Sequence, residues 1–107
     1  MEDMLRRIVY LCNQVVYVPH GERQEMIRLL CGFNSVTGTA FNELGFPEIA
    51  ESYHAKGIRL AIEKQQYDLE GFARWRRAHE LLNRGEYDAA LRDLRQAKAL
   101  QKKLPSM

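Results

Sequence analysis

The chain is predicted to be all-α: a bundle of about five helices ending in an antiparallel helical hairpin. Three observations predict this. Apolar residues recur at spacings of three and four in segment after segment, which is the period of one helix face. A length of 107 residues suits a single domain (1–46, N-terminal helices and a loop; 47–107, three consecutive antiparallel helices). A composition 46% hydrophobic and 28% charged can build a core and need not be disordered.

Taken in order, residues 2–18 place Met4, Leu5, Ile8, Leu11, Cys12, Val15 and Val16 at helical spacing, with Asp3 as a cap. A helix is expected to about Tyr17, although the β-branched run Val15-Val16-Tyr17-Val18 also suits a strand. Pro19, His20 and Gly21 break it. Residues 22–31 read as a short amphipathic helix through Met26, Ile27, Leu29 and Leu30, with Glu22 and Glu25 favoured in its first turn by the helix dipole. Gly32 is expected to end it, and Asn34-Ser35-Val36-Thr37-Gly38 has the composition of a loop. Residues 39–44 fit one helical turn between Thr39 and Gly45.

Pro47 suits the first turn of the next helix, where its missing N–H is not needed. That helix is expected over 48–65, with Ile49, Tyr53, Ala61 and Ile62 apolar and Gly57 inside it admitting a close neighbour. Residues 66–71 are the expected turn into the hairpin. Its first helix, 72–84, carries Phe72, Trp75, Ala78 and Leu82 as one stripe, with Leu81 beside it. Gly85 supplies the left-handed residue after the helix end. The second helix, 86–104, shows Tyr87, Ala90, Leu91, Leu94, Ala97, Gln101 and Leu104 on one face, acids at its start and lysines at its end. Pro105 stops it.

Ala78, Gly85-Glu86-Tyr87-Asp88, Ala90, Leu91, Leu94 and Ala97 together resemble a tetratricopeptide repeat, a helical hairpin of about 34 residues. Trp75 stands one place later than that family's aromatic, and Arg74 and Arg77 occupy positions it usually makes apolar. A generic helical hairpin with a glycine turn fits the same residues. The resemblance implies a groove lined by the first helix, here Trp75, Arg76, His79 and Asn83 with Phe72 and Leu82 as apolar neighbours, into which another protein docks. A single such unit cannot bury its own apolar face, so Leu5, Ile8, Val15, Met26, Leu29 and Leu30 are expected to complete the packing.

Charge is uneven. Residues 1–73 carry seven basic and ten acidic side chains, residues 74–107 nine and four. The electropositive C-terminal third favours a partner with an acidic or amphipathic surface. Arg74, Arg76 and Arg77 around Trp75, with Lys98, Lys102 and Lys103, form an alternative nucleic-acid patch. A net charge of only +2 and an Arg76–Glu80 pair at i,i+4 weigh against it. A third alternative is a homodimer paired through the N-terminal helices.

Chemistry has few candidates. His20, His54 and His79 form no metal-ligand cluster with each other or with Cys12 and Cys31, both expected to be structural thiols. Glu43, Glu48, Glu51 and Glu63 offer no reason to select a catalytic pair. Phosphate-loop, dinucleotide and nucleophile-elbow motifs are lacking from the sequence. The expectation is therefore a non-catalytic adaptor, chaperone or inhibitor without a cofactor. It is expected to be cytoplasmic and not membrane-bound, since no apolar run has transmembrane length and the start Met1-Glu2-Asp3 is unlike a signal peptide.

Overall fold

A computed structural model of the chain describes residues 20–104. Within them lie four α-helices and no strand: α1 (His20–Glu43), α2 (Pro47–Glu63), α3 (Tyr67–Asn83) and α4 (Tyr87–Leu100), followed by a 3₁₀ turn, Gln101–Lys103. The expected helix over 2–17 lies outside the described residues. Neighbours in sequence pack side by side, and α1 also touches α3.

One turn design links all four helices. Gly45, Gln65 and Gly85 each adopt a positive φ, of 88°, 54° and 80°. Beyond each, the next N–H reaches back to a carbonyl five residues earlier: Phe46 to Phe41, Gln66 to Ala61, Glu86 to Leu81, all at 2.9 Å. This is the Schellman closure. The same three residues then open the following helix, whose first bonds run from Ala50, Glu70 and Ala90 back to their carbonyls. Left-handed backbone costs a side-chain-bearing residue about 1–2 kcal/mol, which glycine escapes. Gln65→Gly is accordingly expected to raise stability by about 1 kcal/mol, measured as a higher urea midpoint with unchanged slope.

Two expected boundaries move. Gly32 does not stop the second expected helix, and residues 34–38 are not a loop: α1 runs unbroken through both. Neither Gly32 nor Gly38 has positive φ. Asn34 bonds its own helix, Nδ2 to the Leu30 carbonyl at 2.9 Å, so its side chain does not compete with the helix. Asn34, Ser35, Thr37 and Gly38 face inwards, where small residues let α2 approach. A Cβ on Gly57 would lie 3.1 Å from the Asn34 Cβ, so Gly57 marks a close helix approach as expected. Likewise residues 66–71 are not a turn. The link is Lys64-Gln65-Gln66, and Gly71 lies inside α3.

The core is narrow. Ile27, Cys31 and Ala61 form one cluster, onto which Leu69 of α3 packs. Ala78, Leu81 and Ala90 form a second between α3 and α4. Leu30 is fully buried as expected, while Leu29 is exposed. Leu5, Ile8 and Val15 lie outside the described residues. The α3 stripe divides: Ala78 is buried, but Phe72, Trp75 and Leu82 are exposed, and Tyr87 is 67% exposed. At 100° per residue, Ala73, Ala78 and Leu81 turn inward and the aromatics fall on the far side.

Candidate functional site

Charged residues hold the inward face of α3 in place. The Asp93 carboxylate of α4 lies between two arginines of α3: Arg77 Nε and Nη2 donate to it at 2.6 and 2.7 Å, and Arg74 Nη1 at 3.1 Å. Arg74 Nε also donates to Glu70 at 2.8 Å, and Arg77 Nη1 to Glu51 of α2 at 3.2 Å. The doubly bonded Asp93 holds the Arg77 guanidinium above its ordinary value, against the opposing effect of burial. Elsewhere Arg28 of α1 grips Asp68 of α3 at 2.7 Å, which lowers the Asp68 pKa.

His54 of α2 lies deeper, 1% exposed, with Nε2 at 2.5 Å from Glu80 Oε2 on α3. Its Nδ1 has no partner, which suits the neutral ring donating through Nε2–H. Burial pushes its pKa below the ordinary value, outweighing the pull of Glu80. A depressed folded-state pKa means that this contribution to stability is complete above about pH 6.5 and is lost as pH falls towards the folded-state value. Urea midpoints are expected to drop below that pH, and His54→Gln should remove that part of the drop. Glu80 therefore pairs with His54, not with Arg76 as the i,i+4 spacing suggested.

The outward face of α3 is aromatic. Phe72 and Trp75 have ring centroids 6.0 Å apart, and the Trp75 and His79 rings meet edge to face at 4.2 Å. Arg76 places its guanidinium 5.8 Å from the Phe72 centroid. Trp75 remains 46% exposed in this stack. Leu82 and Asn83 continue the strip to the helix end. All six expected partner-binding residues thus belong to one helix, and Phe72, Trp75 and His79 touch in sequence along it. Beside them a cleft of about 310 Å³ runs between α3 and α4, lined by Asp68, Gly71, Phe72, Trp75, Leu94, Ala97, Lys98 and Gln101.

The six residues of the nucleic-acid alternative are not brought together. Arg74 and Arg77 turn inward to Asp93, away from Arg76. Lys98 borders the α3–α4 cleft, and the Lys103 ammonium lies 4.9 Å above the Tyr67 ring. Sequence reasoning passed over Glu70 and Asp93, weighed His54 only as a metal ligand or catalytic group and not as the partner of Glu80, and gave Glu80 the wrong pair. The available signal was position: Asp93 follows Ala90 by three residues on the apolar face of α4, where an unpaired carboxylate would be costly.

Among the described residues, no three His, Cys, Asp or Glu side chains are placed to hold a metal, and no helix is long and apolar enough to cross a membrane. Cys31 is buried with its thiol pushed up to about 11, chiefly by desolvation, which makes it a packing residue rather than a nucleophile. Cys12 lies outside the described residues. Comparison with protein-family models, curated proteins and solved structures gives no match.

Proposed function

We propose that the chain is a non-catalytic helical module that holds another protein on the outward face of α3. The observation that carries this is the Phe72–Trp75–His79 stack, two large apolar rings and an imidazole ordered against each other yet left open to solvent. Aromatics with a neighbouring arginine are the side chains that anchor protein interfaces most strongly. The tetratricopeptide-like pattern supports the same surface, since the first helix of such a hairpin presents the docking residues. An adaptor, a single-client chaperone and a masking inhibitor all act this way. The titratable groups fit this reading: His54 is sealed from solvent, and Asp93 is occupied by two arginines.

Affinity capture from the native host, repeated with Trp75→Ala and Arg76→Glu, tests the proposal. Trp75→Ala is expected to weaken retention of the partner by about 30-fold or more with helicity unchanged. Full retention by both variants would remove the α3 face from consideration.

A further inference from the structure

Helices α1, α2 and α3 end at Glu43, Glu63 and Asn83, a step of 20 residues, each through the same turn. The α3–α4 hairpin therefore repeats α1–α2 two steps later. In the first hairpin, Cys31 and Ala61 are buried beneath Leu69 of the next helix. Two steps on, their equivalents are Gly71 and Gln101, and these border the open α3–α4 cleft. Among the described residues no further helix covers them.

Gly71 is informative. Glycine inside a helix costs about 1 kcal/mol relative to alanine. Gly38 and Gly57 have a reason, since His54 and Asn34 crowd their missing Cβ atoms, but a Cβ on Gly71 would meet nothing within 4 Å. Gly21 and Gly32 are equally open, though neither borders this cleft. The cleft wall is apolar through Phe72, Trp75, Leu94 and Ala97. Its one acid, Asp68, is already neutralised by Arg28, whereas its one base, Lys98, has no acidic partner among the described residues.

We infer that this cleft takes an amphipathic helix of a partner protein, seated over Gly71 as α3 is seated over Cys31, with its acidic side chains towards Lys98. This rests on the α3 docking reading and narrows it to one occupant and one seat. An apolar side chain of the incoming helix takes the role of Leu69 and covers Gly71 between Trp75 and Ala97. Helix-in-groove docking reads such anchors at helical spacing. A nucleic acid is disfavoured because Arg74 and Arg77, which would flank a stacked base, are bonded to Asp93.

Trp75 is the single tryptophan, so its emission reports the seat directly. The probe is a capped helical peptide built from Glu and Leu without aromatic residues, compared with its Lys and Leu counterpart. The acidic peptide is expected to give a saturable blue shift and to protect Trp75 from iodide, with the basic one at least about tenfold weaker. A Cβ on Gly71 meets nothing within 4 Å, so Gly71→Leu is expected to occupy the seat and to weaken the acidic peptide at least about tenfold, as is Lys98→Glu. Circular dichroism verifies folding, and Gly71→Ala serves if Gly71→Leu fails to fold. Equal affinity for both peptides, no saturable shift, or indifference to both Gly71 variants overturns the inference. So does a shift produced only by a single-stranded oligonucleotide, or one that follows protein concentration through self-association. Should Trp75→Ala release the native partner while Gly71→Leu does not, the seat is wrong and the α3 face stands; if neither does, both fall.

Discussion

Asp93→Ala is expected to destabilise the protein by about 3 kcal/mol, the low end of the range for removing one member of a buried ionic cluster. The loss would come less from the missing bonds than from the two guanidiniums left behind. Arg74 and Arg77 have side chains only 14% and 17% exposed, so neither regains full hydration when its carboxylate is removed. Urea unfolding measures the change. Replacing Asp93, Arg74, Arg77 and the buried Glu70 together by apolar residues of similar volume should recover most of it, because then no buried charge is stranded. A quadruple variant as unstable as Asp93→Ala would show that packing, not charge compensation, explains the effect.

Gly38→Ala is expected to cost about 2 kcal/mol although alanine favours a helix by about 1 kcal/mol. The new Cβ would lie 2.8 Å from His54 Cε1 and 2.9 Å from both ring nitrogens. The imidazole has no way to yield, since Glu80 holds Nε2 and the ring is sealed among α1, α2 and α3. In a His54→Ala background the obstacle is gone, so the same substitution should turn stabilising. A double-mutant cycle on thermal or urea stability reads the coupling, and simple additivity would contradict the packing account.

How far the sequence disclosed this structure varied by signal. Gly85 and Pro47 were legible because each has one dominant conformational use: a left-handed residue after a helix and a pre-set φ at a helix start. Gly38 was misleading because glycine also serves close packing, and nothing near it in the chain announces that His54, sixteen residues on, will lie against it; Gly32 lies on the open side of α1, where nothing meets its missing Cβ and no contact explains a glycine. Gln65 hid a turn identical to that at Gly85, since a glutamine with positive φ leaves no compositional trace. The surface strip was legible as residues but not as a face: Phe72, Trp75 and Ala78 look alike in a periodicity, and only the direction of Ala90 and Leu81 decides which of them is covered. The ionic cluster was illegible for another reason. Arg74 and Arg77 read as surface charge until a partner from α4 is set between them.

The repeated turn also constrains how this architecture can change length. Each link sends the chain back the way it came, so heading depends on whether the number of helices is odd or even. Losing one helix with its link would reverse the direction of everything downstream and carry the aromatic strip to the opposite end. Losing two would preserve heading. Viable insertions and deletions in such a scaffold should therefore come in pairs of helices, two 20-residue steps at a time.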